Sequence, residues 1–240
     1  NHALTFALRT STAACHTGGF NTTRFWEDSL RRGCAARRIA EALGDPDPDE
    51  AFAVGICQDL GTLLLAIRSP HLGDRLDELR RRPGEARRQA ERVLFGRDHC
   101  EELADSALTA MLPTEMRLAI TTHHAPGRGD SRASRLSRIA WAADRLADVA
   151  QAFPKSVVLD RATQAFASLG LEERLQEIYS GLRRDTAEDA AELAIPIAEQ
   201  PSLAAIQQQA RDAMVALSKE HDQWNQRLQQ QLRAAASHAD

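Results

Sequence analysis

The run AFAVGICQDLGTLLLA, residues 51–66, holds one polar pair, Gln58-Asp59, inside an otherwise apolar sequence. A helix over residues 50–66 would be apolar almost all round, and such a helix belongs in the centre of a larger domain. The polar pair must then find hydrogen-bond partners in the interior. Gly55 and Gly61 flank the pair and predict close approach by neighbouring helices. The chain is long enough to supply such surroundings, with 240 residues, 43% of them hydrophobic.

The residues around this centre are mostly Ala, Leu, Arg, Glu and Gln, all strong helix formers. No sustained alternation of Val, Ile, Thr and Tyr is present, so the expected class is all-α. The net charge is -4 with both signs interspersed, which argues against a nucleic-acid-binding surface. The four cysteines, Cys15, Cys34, Cys57 and Cys100, form no C-x-x-C, so zinc-knuckle spacing is absent and reduced thiols are expected. No uninterrupted apolar run is read as long enough for a bilayer, and residues 1 to 20 lack a signal-peptide pattern. The expected compartment is the cytoplasm, with no membrane partner. The start, NHALTFALRTSTAACH, has no Met and reads as a helix in progress, as expected of a piece of a longer chain.

Periodicity and stop signals divide the rest. A first helix is read over residues 3 to 15, then a loop, TGGFNTT, whose Thr22 and Thr23 are candidate N-caps. A long helix follows, with Phe25, Trp26, Leu30, Cys34, Ile39 and Leu43 on its apolar side and Gly44 as its stop. DPDPDE is a turn whose acids suit the next helix start. The charged stretch HLGDRLDELRRRPGEARRQAERVLFG breaks at Pro83-Gly84. Asp98 is a candidate N-cap, Pro113 stands near the start of another helix, and RLSRIAWAADRLADVAQAF is a further one. Three shorter helices are read beyond Phe153: LDRATQAFASLG, EERLQEIYSGL and TAEDAAELAIPIA.

From Ser202 the pattern changes. Leu203, Ile206, Ala210, Ala213, Leu217, Trp224 and Leu228 step by threes and fours, with His221 in the one gap and polar residues elsewhere. That spacing predicts a coiled-coil seam, and through it a homodimer. The competing reading is a last helix packed back on its own domain.

A divalent metal needs His and carboxylate side chains converging from different helices. Asp59, His99, His123, His124 and Asp144 are the candidates. Each has a plainer reading: one of His123-His124 caps a helix C-terminus, and His99, in a helix's first turn, bonds a nearby carbonyl.

Taken in order, FWEDSL, AFAVGICQDLGTLLL, VLFGRDHCEELADSALTAMLP, AITTHHAP and AWAADRLAD resemble the HDOD family, HD-related output domains of bacterial signalling proteins, over residues 3 to 150. The resemblance implies an HD-like helical bundle. HD phosphohydrolases hold metal with an early His, a His-Asp pair and a late Asp. Here the early position falls in FWEDSL, at Asp28, the pair is Gln58-Asp59, and the late residue is Asp144. An amide is a poor substitute for imidazole at a transition metal. The resemblance therefore implies a degenerate site at Asp28, Gln58, Asp59, His99, His123, His124 and Asp144, with no catalysis, no cofactor and no bound metal. The alternative is a metal-dependent HD phosphohydrolase acting on a nucleotide or cyclic dinucleotide. Residues 202–240 resemble the connector that often leads from HDOD domains to a GGDEF diguanylate cyclase, so an attached output domain is the implied partner. The expected organisation is 1–150 HDOD-like, 151–201 additional helices and 202–240 connector.

Overall fold

The computed structural model describes residues 2–80, 82, 84–151 and 155–236. The expected break at Pro83 and the helix end at Phe153 lie partly outside them. All regular structure among these residues is helical. The helices are α1 (His2–Thr12), α2 (Thr22–Leu43), α3 (Pro48–Cys57), α4 (Leu60–Arg68), α5 (Gly73–Leu79), α6 (Gly84–Phe95) and α7 (His99–Ala104). They continue with α8 (Ala107–Ala110), α9 (Thr114–Thr122), α10 (Arg132–Gln151), α11 (Lys155–Ser168), α12 (Leu175–Glu192) and α13 (Leu203–Ala236).

Short-range chemistry sets most helix ends. Asn21, not Thr22 or Thr23, caps α2: its side chain accepts from the backbone N–H of Arg24 at 2.9 Å. Gly44 ends α2 in the left-handed region, φ 75°, where glycine carries no Cβ penalty. Asp47 caps α3 by accepting from the N–H groups of Asp49 and Glu50, with Pro48 at the first helical position. Asp98 and Glu101 form a capping box on α7.

α2 is the central strut. α3 crosses it, α10 and α12 flank it, and α13 docks on α11 and α12. The crossing of α2 and α3 is made at Gly33 and Gly55. A Cβ on Gly55 would stand 2.5 Å from the Arg32 carbonyl oxygen and 2.8 Å from Gly33 Cα. Gly61 is tighter still, since its Cβ would fall 1.8 Å from the His99 carbonyl oxygen, fixing α4 against α7. Gly55→Ala is therefore expected to cost about 1–3 kcal/mol by overpacking, read from urea denaturation. An unchanged midpoint would mean that the helices are not in backbone contact there.

One hydrophobic core runs through the fold, from Phe25, Leu30 and Ile39 through Phe52 and Leu65 to Phe166, Tyr179, Leu182 and Ile206. Residues beyond 150 thus share the core of those before.

Three expectations are corrected. Residues 50–66 form two helices, α3 and α4, because the chain breaks at Gln58-Asp59, where Asp59 takes φ -107°, ψ 9°. The last two short helices are one: α12 runs through to Glu192, and residues 193–202 are irregular up to α13. Finally, the stretch Pro48–Arg68 is long and apolar enough to cross a membrane, contrary to the reading above. It is broken at its middle and mostly buried in this core.

Candidate functional site

The break between α3 and α4 points Gln58 and Asp59 inward, where α2, α6, α7, α9 and α10 converge on them. From α2, Arg32 reaches both carboxylates of the centre. Its Nη2 lies 3.0 Å from Asp59 Oδ2 and its Nε donates to Asp144 Oδ1 at 2.9 Å. From α6, Arg87 donates to Asp59 Oδ2 at 3.1 Å, to Glu91 Oε1 at 2.8 Å and to the Thr62 hydroxyl. Gln58 completes this side: its amide nitrogen donates to the Ala140 carbonyl at 3.2 Å and its oxygen faces Arg32 Nε at 3.3 Å. Gln58, Asp59, Arg32 and Arg87 are all buried.

The second side of the centre is a histidine cluster. His99 Nδ1 lies 2.5 Å from Glu91 Oε2, which also accepts from the His99 backbone N–H at 3.0 Å. His99 Nε2 stands 3.3 Å from Asp59 Oδ1 and 2.9 Å from His124 Nε2. His123 Nδ1 is 2.7 Å from the Ile120 carbonyl, and its Nε2 is 3.8 Å from Asp59 Oδ1. Cys100 Sγ lies 3.9 Å from His123 Nδ1. The histidine pair does not lie on α9. His123 is the residue just past its last turn, and His124 follows it in a turn, so both rings bend back towards α7.

Charge pairing dominates the electrostatics. Burial alone would raise the Asp59 carboxyl, but Arg32 and Arg87 outweigh it and hold Asp59 well below the usual carboxylate range. Burial opposes the ionised Glu91 as well, yet His99 and Arg87 bring it down to about 2. Burial would likewise raise the Cys100 thiol, but the imidazoles of His99 and His123 draw it down to about 6. His124 is pushed down by burial and by the neighbouring rings of His123 and His99.

Of the residues expected to share a degenerate HD site, Gln58, Asp59, His99, His123, His124 and Asp144 converge here. Asp28 does not. It is held by Arg80 and by Arg31, the latter at 3.2 Å, and the α2 residue that reaches the carboxylates is Arg32, one helical turn further on. Arg32, Arg87, Glu91 and Cys100 were not singled out from sequence. Arg87 and Glu91 stand at i and i+4 in a charged stretch, the pattern of any solvated helix face, and carried no sign of burial.

The HDOD domain family matches residues 1–126 of the chain, more than half its length. The chain belongs to the HDOD family. Among solved structures, a candidate phosphohydrolase from Shewanella amazonensis SB2B shares 21% identity with this HDOD protein at TM-score 0.55, over 73% of this chain and 65% of that one. A candidate signal transduction protein from Marinobacter aquaeolei VT8 shares 20% at TM-score 0.56, over 76% and 40%. An HDOD domain protein of unknown function from Geobacter sulfurreducens shares 20% at TM-score 0.47, over 71% and 65%. At these identities the likeness is one of fold. The chain spans less than two thirds of each of the three. A comparison with curated proteins found no match.

An HD-type metal bridged between Asp59 and Asp144 does not fit this HDOD domain. The space between the two carboxylates is taken by the Arg32 guanidinium, which bonds both. A dication would have to displace a bidentate cation already paired there.

The pairing has a consequence in acid. Burial would raise the Asp144 carboxyl, but Arg32 holds it below the usual range. A depressed carboxylate contributes stability that is complete above the unfolded value, about 4, and drains as pH falls through the folded one. Asp144→Asn should be destabilised at neutral pH, and its deficit against the parent should narrow as the pH falls below about 4. Parallel urea-midpoint curves would contradict this.

Proposed function

We propose that this HDOD domain is a non-catalytic regulatory module of a cytoplasmic bacterial signalling protein. The observation that carries the reading is the guanidinium of Arg32 seated between Asp59 and Asp144. Without a metal ion between those carboxylates, no activated water is available there to attack a phosphodiester. The fold shared with the Marinobacter signal transduction protein is consistent with this role. The signal would be a shift between two packings of the bundle, biased by an input that favours one of them. α13 would pass it on. The first part of that helix is clamped to α11 and α12, and its remainder is exposed, so core movement is delivered to whatever the helix carries. A GGDEF diguanylate cyclase is the output that best suits such a connector, acting as a dimer.

The test is a hydrolysis assay. The purified chain, supplied with manganese or iron(II), is offered bis-p-nitrophenyl phosphate and cyclic dinucleotides. No turnover above the metal blank is expected. Turnover that disappears in Asp59→Asn would overturn the proposal and establish the phosphohydrolase reading in its place.

A further inference from the structure

Away from the buried centre, a cleft of about 570 Å³ lies where the start of α2, the end of α10 and the irregular lead into α13 meet. Its volume falls within the range of small-ligand pockets. Arg24, Glu27 and Arg31 line it from α2, Gln151 from α10, and Glu199 and Gln200 from the lead. Gln200 is 6% exposed, yet neither polar atom of its side-chain amide has a hydrogen-bond partner. Arg31, 2% exposed, gives its two terminal nitrogens to Asp28 and Glu27 and leaves Nε unpaired.

Buried polar groups in a folded chain are nearly always bonded, and an orphaned amide costs the desolvation of a donor and an acceptor with no return. The backbone around it is well held. The Gln200 carbonyl accepts from Arg183 Nε at 2.8 Å, the Pro201 carbonyl accepts from the Tyr179 hydroxyl at 3.1 Å, and the Ala198 N–H donates to Glu27 Oε1 at 2.9 Å. No hydrogen bond holds the Gln200 side chain, so rotation about its own bonds can bring the amide into the cleft it lines.

The orphaned groups specify a ligand. A carboxamide sets a donor and an acceptor side by side, whichever way the amide is turned. A glutamine amide pairs through two bonds with the N6/N7 edge of adenine. Arg31 Nε is a further donor, which a second ring nitrogen of a purine can meet. The charged side chains on the walls balance, Arg24 and Arg31 against Glu27 and Glu199, so the cleft does not favour a polyanion.

We propose that this cleft binds a purine nucleoside, with its base on Gln200 and Arg31. Gln200 stands three residues before α13 begins, so the bound base ties the lead into that helix to α2. The site deepens the regulatory reading by naming a class of input, and rests on that reading for its meaning though not for the binding itself.

Adenosine and guanosine are the probes, titrated into the full chain by isothermal calorimetry, with uridine as the comparison. The expected result is saturable one-to-one binding of a purine nucleoside, with uridine at least about tenfold weaker. Gln200→Leu should weaken purine binding at least about tenfold, the loss of one bidentate pair. Its thermal midpoint without ligand should be no lower than the parent's, since an apolar replacement removes an orphaned buried amide. Photolabelling of the parent with 8-azidoadenosine needs no variant, and the label should fall on peptides carrying residues 21–31 or 198–200. No purine binding, uridine bound as tightly, binding or midpoint at odds with the Gln200→Leu expectation, or label elsewhere overturns the site. The hydrolysis assay separates the two proposals. Purine bound without turnover of the phosphodiesters supports both. Purine bound with turnover keeps the cleft and overturns only the regulatory reading, and neither binding nor turnover overturns only the cleft.

Discussion

Arg32→Ala is expected to lower the folding free energy by about 3–5 kcal/mol, the loss seen when one member of a buried ion pair is removed. The residue left behind is not one orphan but two, since Asp59 and Asp144 both lose their shared partner. Arg87 still reaches Asp59, and Arg145 lies 3.4 Å from Asp144, so neither carboxylate is wholly bare. Arg32→Lys should recover little, because one ammonium cannot reproduce a fork that bonds two carboxylates at once. Urea denaturation at neutral pH measures the loss. Lowering the pH should shrink it, since protonation relieves the stranded carboxylates. A variant as stable as the parent would show that the guanidinium is not what balances this centre. The same geometry redirects any attempt to rebuild an HD site: Gln58→His must be combined with a change at Arg32, because the guanidinium already bonds both carboxylates.

The second large effect divides α13 in two. Leu203, Ile206 and Ala210 are buried against the bundle, whereas Ala213, Leu217, Trp224 and Leu228 are exposed. Leu217 is 67% exposed and Trp224 58%. Ile206→Ala should therefore act as a core deletion and cost about 2–5 kcal/mol. Leu217→Asp with Leu228→Asp should leave the stability of the domain unchanged and convert a dimer of modest affinity into a folded monomer. Light scattering across a concentration series decides between the two halves. A parent that is monomeric at high concentration, or a double variant that still dimerises, would remove the exposed half of α13 as the dimer interface.

Much of the fold was legible because it rests on local signals. Asp47, Asp98 and Gly44 mark helix ends through chemistry that acts within a few residues, and the structure uses each as such. The break at Gln58-Asp59 was not legible, since each flank is a good helix and the ion pairs of Asp59 with Arg32 and Arg87 are made across the fold. The α13 seam looked uniform because periodicity reports an apolar stripe, not what covers it. The centre was half legible for a related reason. Histidines and carboxylates are sparse enough to draw notice, but Arg32 sits in an arginine-rich helix beside Arg31, Arg37 and Arg38. Only the three-dimensional path of the chain distinguishes it. Asp28 was placed at the site on motif order alone, and its hydrogen bonds in the fold go to Arg80 and Arg31.

A cation carried on a side chain has no off-rate. No chelator strips Arg32 from Asp59 and Asp144, no shortage of trace elements empties their pairing, and no physiological pH discharges it. The middle of this domain is thus held together independently of what the surroundings supply.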